Sequence, residues 1–120
     1  MKVGYLIFFE IDINLNNIKK AMNLLDNENF YETLKSTEKC VVDFFAPWCG
    51  PCKAMNPVLE SAENEVGQGK IFKINIEENP ELAEKLEIRA VPTFIFYEGG
   101  KEVARKSGII SKSLLIESLN

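Results

Sequence analysis

The apolar positions of the chain recur with two periods, and the change from one to the other marks out its elements. Residues 40–46 (CVVDFFA) are apolar in succession apart from one aspartate, the pattern of a β-strand covered on both faces of a sheet. Farther on, Met55, Val58, Leu59, Ala62 and Val66 recur at steps of three and four, which predicts an amphipathic helix stopped near Gly67 and Gly69. Residues 71–77 (IFKINIE) alternate as a second strand. The NPELAEKL that follows reads as a helix, with Asn79 as N-cap, Pro80 at its first position and a Glu81/Lys85 pair one turn apart. A β-α-β-α order of this kind favours parallel strands joined by a right-handed crossover.

The texture then changes. TFIFY (residues 93–97), the turn EGG and KEVARKS (residues 101–107) predict an antiparallel hairpin, and SKSLLIESL closes the chain as a helix capped by Ser111. Upstream of residue 40, NENFYETLKS (residues 27–36) reads as a short helix and the MNLL before it as a short edge strand. The expected fold class is α/β: a mixed central sheet of four to five strands flanked by helices on both faces. Residues 1–21 stand outside this plan. There Val3, Tyr5, Ile7, Phe9 and Ile11 alternate, so the segment adds an edge strand or pairs with another copy, unless it is a leader ahead of a natural start at Met22. The domain itself is placed at residues 22–120.

With 120 residues, 46% of them hydrophobic and 27% charged, the chain has the length and balance of one domain that buries its own core. A formal net charge of -4 argues against nucleic acid as a partner, because a phosphate backbone calls for a basic face. Histidine is absent, which removes Cys-His and Ser-His catalysis and every histidine-ligated metal site. Three cysteines are an odd number and too few for a disulfide scaffold, so a reducing, cytoplasmic location is expected. The apolar run near the N-terminus is broken at once by Glu10 and Asp12 and carries no small-residue cleavage site; neither a signal peptide nor a membrane span is expected.

Two of the cysteines stand in WCGPC (residues 48–52), where the first long strand ends and the long helix begins. A thiol of ordinary pKa is only about 3% thiolate at pH 7, and the thiolate is the reactive species. A helix N-terminus favours the anion by about 0.3 to 1 kcal/mol, up to about 2 when partly buried, enough to raise that fraction to roughly a quarter. Unpaired amides of the first turn, that of Cys52 included, add hydrogen bonds. Cys49, ahead of the helix and facing solvent, is the expected nucleophile; Cys52, in the first turn and more enclosed, is expected to resolve. These roles define attack of Cys49 on a partner disulfide, a mixed disulfide, and its displacement by Cys52. Pro51 suits and stiffens the first turn, and Gly50 leaves its backbone uncovered for an approaching substrate. Half of a zinc site is a competing reading, but it has only Cys40 and no histidine to complete four ligands, so no metal is expected. Two thiols kept for packing fit less well, since a strand-helix junction exposes them.

DFFAPWCGPCK (residues 43–53), AVPTF (residues 90–94) and the GG later followed by KSG (residues 106–108) together resemble the thioredoxin family, from about residue 22 to the end of the chain. The resemblance implies a thioredoxin fold and a protein-disulfide reductase whose only redox group is the Cys49/Cys52 pair, with no further cofactor. It implies disulfide-bearing proteins as substrates, thioredoxin reductase as electron donor and a monomeric state. Asp43 is implied as proton acceptor for Cys52, through water, with a hydrogen-bonded core carboxylate as the alternative; buried without a strong partner it should titrate high. Lys73 matches the lysine beside that aspartate, although a strand lysine reaching solvent explains it almost as well. Pro92 matches a cis-proline that presents the Val91 backbone to a bound substrate strand, where the residues alone would default to trans. Trp48 is assigned to partner contact or core packing, Gly108 to the substrate groove or a plain turn, and Pro57 to a helix kink.

The sequence also departs from the family pattern. Phe45 stands where many members carry a second tryptophan, and Cys40 lies outside the motif, as apolar filler or, less in keeping, a redox-regulatory thiol. Two other functions compete with a reductase: an oxidase or isomerase of the same fold in an oxidising compartment, and a binding module whose dithiol is incidental.

Overall fold

The computed structural model describes residues 23–120. The readings made for residues 1–21, and the placing of the domain start at Met22, lie outside the described residues. Within them the elements run β1 (Leu24–Leu25), α1 (Phe30–Lys35), β2 (Lys39–Phe45), α2 (Gly50–Val66), β3 (Ile71–Asn75), α3 (Pro80–Lys85), β4 (Thr93–Glu98), β5 (Lys101–Ser107) and α4 (Lys112–Leu119). The strands form one sheet in the order β1-β3-β2-β4-β5. β3 is parallel to both β1 and β2, while β4 is antiparallel to β2 and to β5. The mixed sheet expected from the sequence is thus present, with β2 at its centre.

Alternation along β2 assigns its side chains to two cores. Cys40, Val42 and Phe44 join Phe30 and Leu34 of α1 and Leu82 of α3 on one face. Val41 joins Met55, Leu59 and Ala62 of α2 and Leu115 and Leu119 of α4 on the other. Both faces are covered, which is why β2 reads as an unbroken apolar run. Asp43 is the exception in that run: parity puts it on the α2 face, in register with Lys73 of β3 and Phe94 of β4. The β4-β5 turn is a two-residue loop, because Glu98 pairs with Lys101 across it. Gly99 and Gly100 both hold positive φ, 58° and 84°, as a hairpin turn twisted with its strands requires.

Several local readings change once side chains find partners. The first helix starts at Phe30 rather than near residue 27, since Asp26 Oδ1 accepts from the amides of Glu28 and Asn29 and folds an Asx turn ahead of it. The Asn75 carboxamide does the same after β3, accepting from the Glu77 amide and ending the strand two residues early. Asn79 occupies the N-cap position of α3 but does not cap with its side chain; it donates to the Asn75 carbonyl and accepts from the Asn27 amide. Among the described residues Lys85 forms no ion pair with Glu81, and its ammonium lies 4.9 Å from the Tyr31 ring centroid instead. Ser111 caps α4 as expected, accepting from the Leu114 amide at 3.2 Å, and α2 runs unbroken through Pro57.

Candidate active site

The chain leaves β2 at Phe45, turns through Ala46, Pro47 and Trp48, and enters α2 at Gly50. Cys49 is the N-cap, in extended conformation, and its sulfur takes the place of the usual capping oxygen by accepting from the Cys52 amide at 3.2 Å. Pro51 falls where a missing N–H costs nothing. The two sulfurs stand at disulfide distance, with Cα atoms 5.2 Å apart. An N–H and the positive end of a 17-residue helix therefore point at one sulfur.

The expected contrast in exposure between the cysteines is not found. Cys49 is 4% and Cys52 3% exposed, because both pack with Ala46 into a small apolar cluster closed by Phe45, Ile76 and Val91. Part of this closure comes from Val91, which the family resemblance names as a substrate-contact residue and which arrives from a loop far along the sequence. Its carbonyl oxygen lies 3.6 Å from Cys49 Sγ. The Val91-Pro92 peptide is cis, as the resemblance implies. The Pro92 carbonyl accepts from the Gly108 amide at 2.8 Å, so Cys49, Val91, Pro92 and Gly108 form a contiguous set. Gly108 holds φ +89°, a conformation other residues seldom adopt. Trp48 is 68% exposed, which removes core packing as its role. Gly50 and Pro51 are exposed as well, and a Cβ at Gly50 would meet nothing within 4 Å.

Asp43 is fully buried, and among the described residues neither carboxylate oxygen has a hydrogen-bond partner. No donor among the described residues thus supports the alternative of a hydrogen-bonded core carboxylate. Burial pushes its carboxyl up to about 7, against a smaller opposing pull from the Lys73 charge. Lys73 is the register partner of Asp43 on β3, yet its ammonium does not touch the carboxylate. It donates to Asn56 Oδ1 at 2.6 Å and sits 4.6 Å from the Phe45 ring centroid. Asn56 was missed by the sequence reading; its signal was the spacing of four from Cys52, which puts both on one side of α2. A groove of about 580 Å³ opens beside this contact, lined by Asn23, Leu24, Phe45, Asn56, Glu60 and Lys73 among others.

Cys40 lies on the opposite sheet face from Asp43, buried, with its thiol pushed up to about 11 by that burial. This is the setting of an inert filler rather than a reactive thiol. Among the described residues no three His, Cys, Asp or Glu side chains gather as a metal-ligand set, and no helix is long and apolar enough to cross a membrane.

Two cysteines at disulfide distance at a helix N-terminus can pass between dithiol and disulfide, the chemistry of a thiol-disulfide oxidoreductase. The thioredoxin family model matches residues 21–120. The chain is 42% identical over 99 residues to the thioredoxin of Chlamydia caviae, covering 82% of this chain and 96% of that one. It is 38% identical over 101 residues to the thioredoxin of Rickettsia bellii, covering 83% and 96%. Among solved structures, a thioredoxin of Plasmodium falciparum superposes with a TM-score of 0.71 at 34% identity, covering 78% of this chain and 95% of that one. Oxidised mitochondrial thioredoxin 3 of Saccharomyces cerevisiae gives 0.72 at 30% identity, covering 80% and 91%. The chain belongs to the thioredoxin family. It is a protein-disulfide oxidoreductase that works by a reversible dithiol-disulfide cycle of Cys49 and Cys52.

Proposed function

We propose that the protein works as a reductase, with Cys49 as the attacking thiol and Cys52 as the resolving one, and that the two sulfurs carry the electrons with no further cofactor. The observation that carries this is the Cys49 sulfur at the N-cap of α2, accepting from the Cys52 amide. The helix end favours negative charge there, so Cys49 is the thiol most readily present as thiolate. Its thiolate attacks one sulfur of a partner disulfide; the Cys49-partner bond forms as the partner S–S bond breaks, and the second partner sulfur leaves as a thiolate. Cys52 then yields its proton, through water, to Asp43, and its thiolate attacks Cys49. The Cys49-Cys52 bond forms, the mixed disulfide breaks, and the partner departs reduced by two electrons. Asp43 suits this task because an acid pushed up to about 7 both takes and returns a proton near neutral pH. Lys73 moderates it through charge.

Trp48, Gly50, Pro51, Val91, Pro92 and Gly108 are assigned to substrate contact. Exposed Trp48 offers an aromatic anchor, and the Val91 backbone beside Cys49 offers hydrogen bonds to an extended segment of the partner. Thioredoxin reductase is the proposed electron donor and the reducing cytoplasm the proposed setting, in keeping with the buried, unpaired Cys40. The chain is taken to act as a monomer.

The test is the equilibrium reduction potential of the Cys49/Cys52 couple against a thiol buffer. A value below the cytosolic glutathione poise, about -220 to -320 mV depending on the method, supports a reductase. A value well above that range means that the pair prefers to stay reduced and overturns the proposal in favour of an oxidant or isomerase.

A further inference from the structure

The proton acceptor proposed above is a buried carboxylate with no hydrogen-bond partner among the described residues, and Lys73, whose charge acts on it, is bonded elsewhere. We propose that Asn56 is a positioning residue for this proton relay: by accepting from Lys73 Nζ it fixes the ammonium over Phe45, close enough to act on Asp43 by charge yet out of contact with it. This rests on the reading of Asp43 as the acceptor for Cys52.

A lysine without such a partner reaches for solvent and opposite charge. Four rotatable bonds and a strongly hydrated head carry the ammonium toward water and toward the nearest full negative charge. The groove beside Lys73 carries Glu60, one helical turn beyond Asn56, and Glu63, which already accepts from Asn23 Nδ2 at 2.7 Å. Asp43 is fully buried and is not among the residues lining that groove. Among the described residues, the charged and titratable groups facing this cluster are Asp43 from β2, Lys73 from β3, and Cys52, Glu60 and Glu63 from α2; β4 offers Phe94 and the chain entering β1 offers Asn23 and Leu24, none of them charged. The short bond from Lys73 to the neutral Asn56 amide, at 2.6 Å, thus holds the ammonium back from the carboxylates of the groove. The Phe45 ring beneath it adds a cation-π contact and also packs against the cysteine cluster. Asn56 and Cys52 share one side of α2, so a single helix places both the resolving thiol and the residue that fixes the charge acting on its acceptor.

The test is the titration of Asp43 in the oxidised protein, where the disulfide cysteines do not titrate. With aspartate carboxyl carbons labelled, the three signals belong to Asp12, Asp26 and Asp43, and the Asp43→Asn variant assigns the last. Asn56→Ala should move the Asp43 midpoint upward by about half a pH unit, the size expected when a unit charge withdraws by a few ångström at an effective dielectric of about 20. Asn56→Ser, too short to hold the ammonium, should do the same. In a Lys73→Met background, where the charge is gone, Asn56→Ala should leave the midpoint in place. An unmoved or lowered midpoint in the single variants, or an equal shift in the Lys73→Met background, overturns the proposal. Failure of the underlying reading looks different: Asp43→Asn would leave the rate of mixed-disulfide resolution and its pH profile unchanged, whatever the Asn56 titrations showed.

Discussion

Replacing Asp43 by asparagine should make the protein progressively more stable than the parent as pH rises toward 8. In an unfolded chain the carboxyl ionises near its ordinary 3.8, whereas in the folded protein burial pushes it up to about 7, Lys73 opposing. Between those values the native state binds the extra proton, so stability falls with rising pH. The contribution is fully present below about 4, lost at about 1.4 kcal/mol per pH unit in between, and spent above about 7. The whole window is worth about 4 kcal/mol, a large part of the stability of a small domain. Asparagine cannot ionise. Its buried amide goes unpartnered at a cost of roughly 1–3 kcal/mol, but that cost does not change with pH. Urea unfolding of the oxidised parent and the Asp43→Asn variant from about pH 5 to about pH 8 isolates the term, because every other titrating group is common to both. The difference in unfolding free energy should grow by roughly 2–3 kcal/mol in the variant's favour across that range. A difference that stays flat, or that is complete by pH 5, would show that the carboxylate is solvated or paired in the folded protein and would refute the reasoning.

Two further outcomes test the site from its edges. Iodoacetamide applied to the reduced, folded protein should add first at Cys49, whose thiolate the helix end favours, whereas Cys40, with its thiol pushed up to about 11, should react only in denaturant; three adducts at similar rates by intact mass would contradict this. Trp48→Ala should leave stability within about 0.5 kcal/mol, since the side chain is 68% exposed. It should lower kcat/KM about tenfold toward a protein disulfide and much less toward a small aromatic disulfide. Equal losses on both substrates would remove Trp48 from partner contact.

What could be read from the sequence was whatever repeats locally. β2 and α2 announced themselves because two covered sheet faces give an unbroken apolar run and one covered helix face gives steps of three and four. The hairpin turn was legible because only glycine readily takes two successive positive φ values, as Gly99 and Gly100 do. The misses are side-chain contacts, some local and some between residues far apart in the chain, that leave no period in the sequence. Asn79 looked like a cap, but the carbonyl of Asn75 and the amide of Asn27 claimed its side chain. Lys85 looked like a helix ion-pair partner and settled over Tyr31 instead. Cys49 looked exposed because no period in the sequence shows that Val91 closes over it. Lys73 was read beside Asp43 correctly in register, but its bond to Asn56 joins a strand to a helix and leaves no pattern in either.

Asp43 also bears on how the fold and the chemistry are related. A carboxylate kept for structure would be expected to have donors, because hydrogen bonds to the ionised form lower its free energy and its pKa together. Asp43 has none among the described residues, and its single register partner with a positive charge is bonded to Asn56. At neutral pH the residue therefore takes stability away, while an apolar side chain of similar size would add to the core shared by Met55 and Phe94. The same absence of donors is what brings the group to titrate near neutrality, where an acid-base partner for a thiol is most effective. The helix N-terminus works in the opposite sense at Cys49, favouring a negative charge that the buried carboxylate disfavours. On the proposed roles, one end of α2 thus favours the thiolate of Cys49 while β2 holds Asp43 as the proton acceptor for Cys52. Under that proposal, separating the two influences in space is what lets two thiols three residues apart act differently.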